Sequence, residues 1–576
     1  MRHLFAVFVI VLSLLHPDHG IAGEKKMKRK PFCVSPAAVQ QYFSASPKRL
    51  ARQNTFESII SRMGDVVVVE ADPQLLILPN PFDLYHTTVQ FQPAIKNRYS
   101  YSRIQYEFYS EATDTLTLLD DDSVELNFKD FDFPFGGKAY KQCFINSNGS
   151  ITFDGGDIEP PNIDNLLDGP PRIAAFFTDL DPQTSGTVTV RQTSDFVTVT
   201  WLKVPEFFNH DQFGYGENTF QVAMFRDGRV QLIYSSDITA TQALIGIIPG
   251  YGRSSLRLVD FSRSDMHGRA AASFIEDFRN HESVDIPALM KSVYSNISDD
   301  FDFVTLASNF DLNPVPGAQA FAINVQNEVL GIGNPAQHGN SVFRDHKKYG
   351  SAGQLQNITF LGNIHQYPSD PDAQIPDTYT SLLQVLAHEV GHRWLSYISV
   401  QADGKNDLRI LGRDNTHWSF FLDTDGSFLE GNEISKRGSN SFVTSKPFQG
   451  YSSLDLYLMG FLKPEDVEDT FLVEDARRFS PDFPFAAGSS PEPDVNFQGS
   501  DRVINIDDII AANGERTPDS SESQKSFKHL FILITKKAAP VQDADLSAID
   551  LLRTRWESFF SDATNRIGEI DTRLKD

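Results

Sequence analysis

The chain has 576 residues, 40% of them apolar, and a formal charge of −25 at neutral pH. That length exceeds one ordinary hydrophobic core and predicts a multidomain protein. The negative charge argues against nucleic acid and anionic membrane surfaces as partners, and is read as solubility. Phenylalanine is abundant at 46 residues, and with many short Val/Thr/Ile runs it points to β-rich structure.

Residues 1–22 have the layout of a cleavable signal peptide. Arg2 and His3 precede an apolar run from Leu4 to Leu15, and Gly20 and Ala22 suit the −3 and −1 positions of a cleavage site. The run is too short to span a bilayer, and no later stretch approaches that length. The expectation is a secreted or periplasmic protein with no membrane span. Lys30-Pro31-Phe32 before Cys33 does not form a lipid-attachment site. Two cysteines, Cys33 and Cys143, could pair in an oxidising compartment or stay as two buried thiols.

Residues 23–114 read as a β-rich lead-in. It holds a basic tail at 24–30, a helical pattern at 36–62 and strands at 65–70, 75–78 and 87–91. Residues 115–262 alternate more regularly. Phe144 and Ile145 precede Asn148-Gly149, and Phe220, Val222 and Met224 precede Asp227-Gly228; both dipeptides are strong hairpin signals. The reading is an antiparallel, sandwich-like sheet of about eight strands, with Val197, Val199 and Trp201 on one face.

Four pieces of this region carry a resemblance: Phe131-Asp132-Phe133-Pro134-Phe135-Gly136-Gly137, Asn146-Ser147-Asn148-Gly149-Ser150-Ile151-Thr152-Phe153, Ile173 to Asp181, and Asn218-Thr219-Phe220-Gln221-Val222. In order and spacing they resemble the nidogen-type extracellular domain. The resemblance implies an adhesive role toward an extracellular protein or glycan. Asp179 and Asp181 are candidates for Ca²⁺, with a turn as the plainer alternative.

Residues 263–576 read as a second large unit. A helix is expected from Ile286 to Ile297, with strands at 301–306, 319–325 and 358–363. Leu382, Val385, Leu386 and Val390 then recur at helical spacing. On that helix His388 and His392 lie four apart, so both imidazoles can face one point. Zn²⁺ is the metal such a pair suits, and Glu389 beside it can act as base toward a water. Thr378 or Thr380 is the expected helix cap.

A catalytic zinc takes a third protein ligand. Leu395 and Ile398 stand where a short metzincin continuation needs Gly and His or Asp. His417, the next histidine, is the preferred third ligand, and Glu430 is the alternative. Tyr451 and Tyr457 are candidates for a phenol that stabilises an oxyanion. Asp423-Thr424-Asp425-Gly426-Ser427 opens like a Ca²⁺ loop but lacks a full ligand run, so a turn is expected.

Together, Gln384 to Trp394, His417 to Asp423 and Leu454 to Gly460 resemble exported bacterial zincin-like proteins. That resemblance implies a metallopeptidase, and by analogy makes 358–363 the edge strand to which a substrate backbone adds. The expected architecture is an N-terminal all-β, sandwich-like domain followed by a C-terminal α+β zincin-like domain over 263–576, closed by a helix running from Ile549 to Leu574. The expected function is zinc-dependent hydrolysis of protein or peptide substrates. The alternative is an extracellular binding protein whose zincin domain is inert.

Overall fold

The computed structural model describes residues 33–34, 58–71, 75–159, 161–207, 216–250, 256–263, 270–312, 319–335, 341–402, 404–476 and 485–575. The expected signal peptide, the basic tail and most of the helical pattern at 36–62 lie outside these residues. No helix among them is long and apolar enough to cross a membrane.

Two β-structures dominate. The first runs from Thr87 to Arg279 and is two facing antiparallel-rich sheets of seven strands each. Both hairpin dipeptides turn as expected: Gln142–Asn146 pairs with Ser150–Thr152, and Asn218–Phe225 pairs with Val230–Tyr234. Val197, Val199 and Trp201 all point into the space between the sheets, where Trp201 stacks on Phe220 at 5.0 Å between centroids. The strands Thr87–Ala94, Arg98–Ile104 and Ser273–Arg279 belong to these sheets, so the β-unit extends beyond 115–262 on both sides. Cys143 is a buried free thiol in this core, whereas Cys33 lies on a strand of the other structure, opposite Ala320. Of the two alternatives, the Cys33–Cys143 disulfide is not formed. Burial alone pushes the Cys143 thiol well above its usual range.

The second structure is an eight-stranded mixed sheet. Its order is Cys33–Val34, Ala320–Asn324, Asn357–Asn363, Phe303–Ser308, Ser526–Thr535, Val66–Glu70 and Ile59–Met63, with Glu569–Asp571 also pairing Ser526–Thr535. The run Val66-Val67-Val68-Val69 explains its own placement. A strand buried on both faces needs apolar residues at every position, not at alternate ones. Val66 and Val68 join the core beneath the helix Leu382–Gly391, while Val67 and Val69 join the core beneath the helix Ile286–Tyr294. The lead-in is thus shared out: Ile59–Met63 and Val66–Glu70 complete the second structure, and Thr87–Ala94 begins the first.

The chain leaves the mixed sheet after Glu70 and returns before Ile286. Its exit and re-entry strands, Leu76–Ile77 and Ser283–Val284, pair antiparallel, and Asn80 bridges Arg279. The β-sandwich is an insertion hung on this two-stranded neck.

Two expected elements differ. Asn357–Asn363 is not an edge strand; Ala320–Asn324 flanks it antiparallel on one side and Phe303–Ser308 parallel on the other. The last helix spans Asp543–Ala563 and stops short of Leu574. Asn565 and Arg566 take left-handed φ values of 53° and 62°, which turn the chain back, and Ile570 lies on a strand opposite Phe527.

Candidate metal centre

The helix Leu382–Gly391 is capped by Ser381, not by Thr378 or Thr380. Ser381 Oγ accepts from Gln384 N, and the Gln384 side chain accepts from Ser381 N at 2.8 Å, a reciprocal box. Thr378 Oγ1 instead donates to Ile375 O, closing the preceding loop. All but one residue of the helix is buried, so its polar members need partners inside the fold.

Those partners come from the segment 411–430. Gly391 allows the approach: a Cβ there would meet Leu429 Cδ2 at 2.7 Å. With that contact open, Phe428 O accepts from His388 Nδ1 at 2.7 Å. Trp418 N donates to Leu429 O, which folds the segment into a loop and turns His417 toward the helix. Asp455, on the helix Ser453–Met459, holds this loop from behind. It accepts from Trp418 Nε1 at 3.0 Å and from Ser427 Oγ at 2.6 Å, as well as from its own helix cap at Ser452 N. Burial raises the Asp455 carboxyl, and its hydrogen bonds oppose that shift.

The result is a pocket of three imidazoles. Candidate ligand atoms of His388, His392 and His417 all lie within 4.8 Å of one another, and all three residues are buried. His388 Nε2 and His392 Nε2 are 3.1 Å apart. The Nδ1–H of His417 donates to Arg413 O at 3.0 Å, as that of His388 does to Phe428 O. Both rings are therefore held in the tautomer whose Nε2 carries a lone pair directed inward. His392 is held through its backbone, since Asn324 Nδ2 and the Tyr397 hydroxyl both donate to His392 O, at 2.7 and 2.8 Å.

Burial is the first cause of a lowered pKa at each ring, to about 4 for His388 and well below the usual value for His392 and His417. The positive charge of Arg413 lowers all three further. Three buried neutral imidazoles, two of them with inward lone pairs fixed by their Nδ1–H bonds, form a donor set that suits Zn²⁺, and three protein ligands leave a fourth position open.

The other candidates fall elsewhere. Glu430 is buried and bound to Arg413 Nη2 at 2.5 Å, outside the three-histidine cluster. The Tyr451 hydroxyl donates to Ala387 O at 2.6 Å and so braces the helix. The Tyr457 hydroxyl accepts from Arg516 N at 3.4 Å. Glu389 is buried in the same helical turn, and its charge is one of the causes that raise the Tyr367 phenol, after burial. In the sandwich, Asp179 gathers with Asp120 and Asp121, while Asp181 caps a turn by accepting from Gln183 N and Thr184 N. Asp423 accepts from Ile434 N at 2.8 Å within a loop, as a turn residue does.

Sequence reasoning found the histidines but not the residues that aim them. Asp455 and Asn324 act across the fold, and no local pattern marks them. Ser381 was legible, since Ser381-Leu382-Leu383-Gln384 is itself a capping-box sequence.

Residues 98–273 match the family model described as NIDO related. The β-sandwich is accordingly a nidogen-related domain, as its four sequence pieces led one to expect. No curated protein and no solved structure matches the chain. The match ends well before the helix that bears His388 and His392.

Proposed function

We propose that the chain is an exported zinc metallopeptidase carrying a nidogen-related domain. The observation that carries this reading is the convergence of His388, His392 and His417 from two separate segments, with Glu389 adjoining the first. His388, His392 and His417 would hold the metal through Nε2. Zinc bound there would act as a Lewis acid and lower the pKa of a water. Glu389 then takes the proton from the attacking water and passes it to the leaving amine. The neutral state of the three rings keeps their lone pairs available near neutral pH.

Replacing Glu389 by Gln is expected to lower cleavage of an unfolded protein substrate by about a thousandfold or more, with bound zinc unchanged. A variant that retains cleavage sinks the mechanism. Zinc content separates the two third-ligand candidates: His417→Ala should lose metal, and Glu430→Ala should keep most of it.

A second reading rests on the nidogen-related match. In it the chain is an extracellular binding protein that recognises a protein or glycan through the sandwich, and the histidine pocket is structural. Bound zinc without chelator-sensitive cleavage favours that reading.

A further inference from the structure

Arg413 does two things at the pocket. Its carbonyl orients the His417 ring, and its guanidinium returns to the other side of the same ring. Arg413 Nη2 lies 3.2 Å from His417 Nε2 and 2.5 Å from Glu430 Oε1. A guanidinium only donates, so His417 Nε2 must be the acceptor. This agrees with the Nδ1–H bond to Arg413 O, which leaves the lone pair on Nε2. Glu430 holds the guanidinium beside the His417 ring at low solvent exposure.

The lone pair that Arg413 caps is the one a metal would need. One lone pair cannot serve both. We infer that Arg413 is a metal-responsive positioning residue: it caps His417 Nε2 when the pocket is metal-free, and on loading turns that N–H to an anionic oxygen held at the open side of the pocket. This rests on the zinc reading above and extends it. Glu430 is the tether in both states, since it keeps the guanidinium beside the pocket while the second partner changes. The ligand class that follows is a carboxylate or the developing oxyanion of a substrate carbonyl, which a guanidinium binds strongly in a buried setting.

The test is made on the full-length protein with Arg413→Met/Glu430→Gln, a double variant that removes both charges together. Zinc affinity, read by competition with a chromogenic chelator, should rise about tenfold, the size of one hydrogen bond to a charged group. The cobalt-loaded protein, titrated with acetate and followed by its visible spectrum, should bind acetate about tenfold more weakly in the double variant. If the wild type binds zinc and the double variant shows the same zinc and acetate affinities, this inference is overturned while the metal reading stands. A wild type that takes up neither zinc nor cobalt overturns both. Should the double variant fail to fold, wild-type protein labelled with ¹⁵N-arginine carries the test. One guanidinium resonance should shift on adding zinc, and a spectrum in which none moves overturns the inference.

Discussion

The two β-structures of this chain were assembled in opposite ways. The nidogen-related sandwich is contiguous, and its central strands pair largely with sequence neighbours through tight turns such as Asn148-Gly149 and Asp227-Gly228. The mixed sheet is discontinuous. Val66–Glu70 lies beside Ser526–Thr535, and Phe303–Ser308 lies between Ser526–Thr535 and Asn357–Asn363. A unit built from local pairings can be inserted, lost or matched as a block. A unit whose strands come from both ends of the chain exists only as a whole.

If that contrast is right, the two structures should unfold separately, and substitutions should sort cleanly between them. The largest effect is expected for Val68→Asp, which places a charge at a position 3% exposed between a sheet and the core under the His388 helix. A loss of about 3–5 kcal/mol is expected, as for other uncompensated buried charges. Calorimetry should show the transition of the mixed-sheet unit lowered or gone and zinc content reduced, with the sandwich transition in place. Loss of both transitions together would break the comparison.

Trp201→Ala is the reciprocal experiment. Trp201 is fully buried and stacked on Phe220, so about 3–5 kcal/mol should be lost from the sandwich. Zinc content and the other transition should not change.

The two units should also answer to pH with opposite sign. Burial raises the Glu276 carboxyl of the sandwich from 4.5 to about 8. Its contribution to stability is full below the unfolded value and is lost as pH rises through about 8. In the mixed sheet, burial lowers His529 from 6.5 to about 3. Trp556 Nε1 donates to its Nδ1 at 3.0 Å, so the neutral ring is the one that fits. Its contribution is full above 6.5 and is lost as pH falls toward 3. Melting temperatures between pH 6 and 9 should therefore fall for the sandwich and not in Glu276→Gln. Between pH 6.5 and 4 they should fall for the other unit, and less steeply in His529→Gln. The smallest effect is Ser381→Ala, which removes the cap of the His388 helix and should cost about 1 kcal/mol in that unit alone.

The same contrast sets what could be read from the amino acids. The sandwich hairpins and the His388 helix were legible because periods of 2 and 3.6 are local. Four consecutive valines at 66–69 were visible as a strand, but one of their two partners is more than 400 residues away and leaves no local trace. Asn357–Asn363 reads as a strand wherever it sits, and only the pairing with Ala320–Asn324 shows it to be interior. At the site, His388 and His392 declare themselves by spacing. His417 could be ranked above Glu430 from chemistry, but the ion pair that engages Glu430 is a tertiary fact. Tyr451 was a reasonable oxyanion candidate as a residue type. Its hydroxyl is committed to Ala387 O.

The neck-and-insert layout also orders events in time. Asp65 Oδ1 accepts from Leu574 N across 509 residues of sequence, a closure whose entropic cost grows only logarithmically, to roughly 5–6 kcal/mol. The delay is the heavier burden. At about 5–20 residues per second, a ribosome needs on the order of half a minute or more between Val66–Glu70 and Ser526–Thr535. Through that interval the valine-rich strand has, among the described residues, only Ile59–Met63 as a pairing partner, while the sandwich between them is already complete. Val66, Val68 and Phe531 belong to the core on which the histidine pocket rests, so the pocket matures at the close of synthesis and not before.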